Sequence, residues 1–353
     1  MRRCPVCGLD MRQMGHTSCE YLDVIPAKVV VVHRIDEAVK CPVDGTIVAA
    51  PAPARIVEKG VLGDRLIIEA TADKFLEHQP IERQSVRFAR SGVDIAPQTL
   101  GRAVCAHLDL LKPIAQTIYD KTRAPGLLGT DSTGIPVLDP SSAGGIRTGA
   151  MWAWTNALWV SFFYSPSGDS NSVRRFLGEP EDENAEPTGR VAREVQADGT
   201  NILSFIERAG GTRPGCWAHA RRGLVLCARS GDHVALAGVK LMARLFAIER
   251  ASKDAGENAE QRLARRIENG QVVVEAIRVW VDEQLALTPP KTSFGSALGY
   301  IKRQWRRLIL FLGNGNIPLT NNRRERELRK LVLDDETGFS SGRTSAVNAR
   351  RAS

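Results

Sequence analysis

Gly126–Asp139 reads GLLGTDSTGIPVLD, and the rest of the chain can be organised around it. Leu127 and Leu128 lead into Asp131, and Ser132, Thr133, Ile135, Val137 and Leu138 continue in extended, alternating style. The pattern predicts a β-strand with a carboxylate in its middle. A carboxylate placed there costs free energy unless something positive lies beside it, and a metal ion meets that need. The plainer reading is an edge-strand or turn Asp held by neighbouring hydroxyls. The segments on either side decide between the two.

Downstream, Ala150–Thr155 (AMWAWT) and Leu158–Tyr164 (LWVSFFY) are aromatic, β-favouring runs joined at Asn156-Ala157. Ser172–Leu177 begins a helix, Glu179–Thr188 forms an acidic exposed loop, and Val191–Ala197 makes a fourth strand ending at Asp198-Gly199. Three strands, a helix and a fourth strand ending in Asp fit a ribonuclease H-like mixed α/β sheet. In that fold Asp131 and Asp198 lie side by side. The plainer reading of Asp198 is an ordinary Asp-Gly turn.

From Gly223 to Leu287 the period is helical, and Phe294–Leu312 adds a further helix, so an insertion is expected at about 223–313. Ahead of it, Gly215–Arg222 (GCWAHARR) enters a helix. Cys216 and His219 are two potential ligands, too few for a metal site, and His219 with Arg221 and Arg222 fits a phosphate-facing patch better. After the insertion, a helix is expected to start at Asn322, with Glu325 three residues on. That pair is either a capping box, or Glu325 is the third carboxylate of the site.

Upstream, Cys4-Pro-Val-Cys7-Gly8 has the spacing with which two thiolates grip one ion from a tight turn. Cys41-Pro-Val-Asp44-Gly45 repeats it with Asp44 in place of the second cysteine. The zinc set is therefore either Cys4, Cys7, Cys41 and Asp44, or Cys4, Cys7, His16 and Cys19. Tyr21–Arg34 reads as a strand pair broken by Pro26, and residues 46–60 as a linker. Residues 1–50 thus form a zinc-ribbon-like module. Residues 61–122 follow as a helical region: a helix stopped by His78-Gln79-Pro80, a second from Ile81 to Arg90, a glycine turn, and a longer helix from near Ala96. That order resembles a helix-turn-helix. Residues 123–353 complete the chain as the ribonuclease H-like domain.

The 353 residues carry a formal net charge of +8, which suits a polyanionic partner. Basic residues crowd into Lys302–Arg307, Arg323–Lys330 and Arg343–Arg351; Arg326 and Arg329 are the candidate DNA contacts of the middle cluster. Seven cysteines, an odd and scattered set, exclude a disulfide scaffold. No apolar run has membrane-spanning length and MRRCPVCG has no secretory character, so a cytoplasmic location without membrane contact is expected.

These motifs together resemble the insertion-sequence-sixty-six-type transposases. CPVCG with CPVDG is similar to the zinc-binding region of that family, DSTGIPV to its first-aspartate motif and QADG to its second. CWAHARR is a hallmark, and NNRRERELR is similar to the segment bearing its glutamate. The resemblance implies a DNA transposase with Asp131, Asp198 and Glu325 as catalytic residues. These would hold two Mg2+ ions, or Mn2+ in their place, for phosphoryl transfer between DNA strands. It also implies structural Zn2+, element ends and target DNA as partners, and admits a homo-oligomer and accessory proteins of the same element. Three departures stand out: Asp44 for a cysteine, Thr320 for an aspartate, and Asp334–Phe339 for a basic, aromatic stretch. The family also carries an N-terminal helical extension ahead of its zinc region. Two other readings keep the same fold: a truncated or degenerate DNA-binding remnant, and a nuclease that cleaves without joining.

Overall fold

The computed structural model describes residues 3–4, 6–10, 20, 22, 28–49, 51, 53–142, 144–180 and 193–329. His16, Cys19 and the acidic Asp334–Glu336 lie outside the described residues.

The N-terminal region holds two tight turns of one kind. Gly8 N donates to Cys4 O at 2.9 Å, and Gly45 N donates to Cys41 O at 3.1 Å. Both glycines take positive φ, 72° and 77°, which is why the turn needs glycine there. The second turn closes an antiparallel pair, β1 (Ala38–Lys40) and β2 (Ile47–Ala49). The strand pair therefore falls around Cys41, and among the described residues 28–34 there is no strand. Val30, Val31 and Val32 are exposed and pair with no strand among the described residues. The linker correspondingly starts after β2.

Three helices follow: α1 (Asp64–Phe75), α2 (Ile81–Arg90) and α3 (Pro97–Thr122). Their apolar positions meet in one core of Ala70, Phe88, Ile95, Leu100 and Val104. Pro80 precedes α2 and Pro97 opens α3, each where a missing N–H is harmless. Arg87 of α2 is committed to an ion pair with Asp73 of α1. The far end of α3 is tied to the sheet that follows: Tyr119 donates through its hydroxyl to Phe176 O at 3.0 Å, and Asn156 Nδ2 donates to Lys121 O at 2.8 Å.

That sheet consists of β3 (Leu128–Leu138), β4 (Ile146–Thr155), β5 (Val160–Ser165) and β6 (Val195–Gln196) in the order β5-β4-β3-β6. The first three are antiparallel in sequence, and β6 joins β3 in parallel. The helix α4 (Ser170–Leu177) lies between β5 and β6 in the chain and is capped by Asp169, which accepts from Ser172 N. This mixed sheet with helices is compatible with a ribonuclease H-like transposase. Of the expected fourth strand, residues 191 and 192 lie outside the described residues; among the described ones Val195 and Gln196 are the ladder residues, and a parallel bridge joins Glu194 to Thr212. Glu179, expected in an exposed loop, is buried.

Alternation along the strands gives the sheet two distinct faces. On one, Leu128, Trp152, Trp154, Val195 and Ala197 pack against Val173, Phe176 and Leu177 of α4, and against Phe205 and Ile206 of α5 (Ser204–Arg208). On the other face the register aligns Gly129 with Thr155 and Gln196, and Asp131 with Ala153.

The insertion is a helical bundle of α6 (Trp217–Arg229), α7 (His233–Asp254), α8 (Ala259–Arg265), α9 (Gln271–Leu287) and α10 (Ser293–Leu308). A π-helical turn, Arg266–Gly270, joins α8 to α9. Its core includes Trp217, Leu224, Leu245, Ile277, Leu298, Ile301 and Phe311. Buried Arg266 pairs with Glu249 (2.6 and 2.8 Å) and donates to the carbonyls of Phe311, Asn314 and Ile317 (2.9–3.0 Å). The chain leaving the bundle is thereby held in one course. It turns into a last described helix, α11, at 322–329.

Candidate active site

Asp131 lies on β3, and Asp198 follows the end of β6, the parallel neighbour of β3. Gly129 is in register with Gln196, and each aspartate stands two residues further along. Asp131 is thereby on the face of β3 opposite the tryptophan core, and the charge of Asp198 is close enough to act on its carboxyl. Asp131 Oδ1 accepts from Ser132 N at 2.9 Å, and Asp198 Oδ1 from Thr200 N at 3.2 Å.

The segment after Asp198 is braced from below. Buried Arg213 donates to Thr200 O and reaches Glu207, which Arg307 of α10 grips through two bonds of 2.7 and 2.6 Å. Tyr300 and Gln304 of α10 pack on Gly199 so closely that a Cβ there would touch both at 3.0 Å.

The third carboxylate arrives on α11. This helix buries Asn321, Arg324 and Leu328, one face at helical spacing, and leaves Arg326 and Arg329 exposed. Asn321 fixes its start: its backbone N–H donates to Cys216 Sγ at 3.1 Å, and its side chain donates to Thr130 O at 3.3 Å. Glu325 does not close a capping box with Asn322. Its Oε1 lies 3.2 Å from both His219 Nε2 and Arg222 Nη2 of α6.

Electrostatics ties the three acids together. Burial, then the charges of Asp198 and Glu325, push the Asp131 carboxyl up to about 6, against the pull of the Ser132 N–H and Arg222. Burial and the nearby Arg222 cation lower the pKa of His219, against the pull of Glu325 and Asp198. Burial raises the Cys216 thiol, so it stays a neutral acceptor for Asn321. Among the described residues, no three His, Cys, Asp or Glu side chains stand together as a group that could hold a metal ion. The Nδ1 of His219 is buried without a partner.

A raised Asp131 has a definite consequence for stability. Between about 4 and 6 the folded chain binds more protons at Asp131 than the unfolded chain does, so this group's contribution falls as pH rises through that window. The shift is worth about 2 kcal/mol at pH 7 once partial solvent exposure is allowed for. Asp131→Asn is accordingly expected to be more stable than the parent at pH 7 in chelator, and equal to it near pH 4. Urea denaturation at the two pH values measures the difference; equal stability at both would contradict it.

Of the residues singled out from sequence, Asp131, Asp198, Glu325, His219 and Arg222 lie in one neighbourhood. Arg221 is half-buried with its guanidinium 5.7 Å from the Phe246 ring centroid. Cys4, Cys7, Cys41 and Asp44 sit in the two N-terminal turns. Sequence reasoning missed Gly129, Gln196, Asn321 and Arg324. Period-two spacing from Asp131 and Asp198 could have found the first two, since it places both on the acidic face.

Fold and site together describe an α/β protein in which an acid on β3, one just past β6 and one on α11 lie within electrostatic reach of one another. Residues 59–346 match the transposase IS66 family, and the chain belongs to that family. It is 29% identical over 357 residues to uncharacterized protein y4hP of Sinorhizobium fredii, which covers 94% of this chain and 62% of that one. Uncharacterized protein y4jD of the same organism is 28% identical over 353 residues, covering 94% and 66%. The chain thus spans a little under two thirds of the length of these relatives. Among the described residues, no helix is long and apolar enough to cross a membrane.

Proposed function

We propose that the chain cleaves and joins DNA strands, with Asp131, Asp198 and Glu325 as its catalytic carboxylates. The observation that carries this reading is that Asp131, Asp198 just past the paired strand β6, and Glu325 of α11 come from distant segments into one neighbourhood, where burial and the other two charges raise the Asp131 carboxyl. Like charges gathered at one partly dry spot call for a cation. The donor set fits Mg2+, which takes hard oxygen ligands and keeps some waters. When bound, such ions activate an attacking water or 3′-hydroxyl and stabilise the leaving oxygen.

The chain's own residues do the rest. Ser132 N and Thr200 N orient the two aspartates through single hydrogen bonds, leaving their other oxygens free of backbone donors. His219 and Arg222 restrain Glu325. Arg222, Arg326 and Arg329, all exposed, supply positive charge around the carboxylates for phosphate contacts. The helices α2 and α3, joined by a turn at Gly92, would add a helix-turn-helix contact to DNA. The test is incubation with DNA carrying the ends of its own element, with Mg2+ or Mn2+. Cleavage with strand joining supports the transposase reading; cleavage alone marks a nuclease; neither marks a remnant.

The N-terminal turns fit zinc. In the first, hydrogen bonds from the Cys7 and Val6 backbone and from the Cys7 side chain lower the Cys4 thiol. In the second, the Cys41 side chain hydrogen-bonds to Asp44 and lowers its carboxyl. Each turn therefore presents two donor atoms to one point, as a two-residue chelate requires. Elemental analysis of purified protein is expected to give about one zinc per chain. Loss of it in Cys41→Ser assigns Cys41 and Asp44; loss in Cys19→Ser assigns the His16 and Cys19 set; no zinc in protein purified without chelator contradicts the site.

A further inference from the structure

The guanidinium of Arg324 is buried between three strands. Its Nε donates to Thr155 Oγ1 of β4 at 2.9 Å, and its Nη1 donates to Gln196 Oε1 of β6 at 2.5 Å. Between those partners, on β3, stands Gly129, and any Cβ at that position would collide with the guanidinium. The glycine has ordinary extended backbone, so the missing side chain makes room for Arg324 rather than permitting a turn. Gln196 is in turn held from the other side, its Nε2 donating to Pro318 O at 2.6 Å and to Gly215 O at 3.2 Å.

One side chain of α11 therefore reaches into the sheet at Gly129, two residues before Asp131 on β3, and at Gln196, which ends β6 two residues before Asp198. The next residue in the chain is Glu325. Few devices could set the distance from that helix to the two aspartates so directly. α11 is also held by Asn321 on Thr130 O and Cys216, by Arg323 on the Asn156 and Ala157 carbonyls, and by Glu325 on His219 and Arg222, but of all these side chains Arg324 alone bonds to both β4 and β6.

We propose that Arg324, seated in the notch left by Gly129, is the positioning residue that sets Glu325 against Asp131 and Asp198. This rests on the reading of those three acids as a cation site. Arginine is required because one planar fork must bridge β4 and β6 at once; a lysine ammonium keeps the charge but not the bridge.

The test uses the full chain and Mn2+ binding measured by isothermal titration calorimetry, together with amide exchange of residues 322–329 without metal. Arg324→Met and Arg324→Lys are each expected to weaken Mn2+ binding about 10- to 100-fold, the usual cost of losing a group that orients a ligand. Neither should change binding further in a Glu325→Gln background, because the effect passes through Glu325. Gly129→Ala should reproduce the loss, and should do no added harm when combined with Arg324→Ala, which empties the notch. Faster exchange across 322–329 in Arg324→Met supports the same conclusion without metal. Full rescue by Arg324→Lys, additivity with Glu325→Gln, or unchanged exchange would each overturn the proposal. If the parent chain binds no Mn2+ while exchange does speed up, the cation reading fails and the notch contact stands.

Discussion

Asp131→Asn, Asp198→Asn and Glu325→Gln are each expected to lower metal-dependent DNA cleavage on the order of 10³-fold while leaving the fold intact. Each change keeps the shape of the side chain and removes one negative charge. At Asp131 the carboxyl is pushed up to about 6 by burial and by its two acidic neighbours, so its charge calls for a cation. Loss of Glu325 has a second effect: His219 and Arg222 lose their common partner. Far-ultraviolet circular dichroism and denaturation checks the fold, and a cleavage assay reads the rate. A variant that cleaves at close to the parental rate removes that residue from the site.

Trp154→Ala is expected to cost about 3–5 kcal/mol. Trp154 is fully buried, and its ring stacks on Phe176 of α4 with centroids 4.1 Å apart and planes at 9°. Trp152 lies 6.3 Å away on the same strand. The surrounding side chains come from two strands and a helix, so they cannot collapse into the space the indole leaves. The loss reaches the site, because β4 is the hydrogen-bonded neighbour of β3 and Ala153 faces Asp131 across that ladder. The variant should therefore bind Mn2+ more weakly as well as unfold at lower urea. A loss of stability under about 1 kcal/mol would mean that this aromatic cluster does not hold the sheet together.

The first three strands of the sheet were readable in the chain because period-two alternation is a local property. The run around Asp131 and the aromatic runs after it carry their strand character within ten residues. The three helices of 61–122 were equally legible, since Pro80, Gly92 and Pro97 punctuate them. Boundaries were less so. The turn after β3 contains Gly144 and Gly145, both at positive φ, and Asp139 bonded to Ser141. It is a tight reversal, so β4 begins at Ile146, four residues before its aromatic run. The valine run at 29–32 misled in the opposite direction: it has strand propensity but pairs with no strand among the described residues, and the run stays out of any sheet.

Arg324 shows what sequence pattern could not reveal. Within RRERELRK it reads as one more surface cation, yet it is buried. The reason lies on a distant strand, where Gly129 leaves a space, and on Gln196, which supplies the acceptor. The same holds for Glu325. Its spacing from Asn322 suits a capping box, and only packing of α11 against α6 turns it toward His219 and Arg222 instead.

The measurement that bears most directly on the central claim is Mn2+ titration of the metal-free chain and of the three carboxylate variants. If Asp131, Asp198 and Glu325 share one cation site, the parent binds Mn2+ with a heat that weakens or vanishes in each variant. It also releases protons on binding near pH 6, where Asp131 is partly protonated. Binding of equal affinity to the parent and to all three variants would contradict the account.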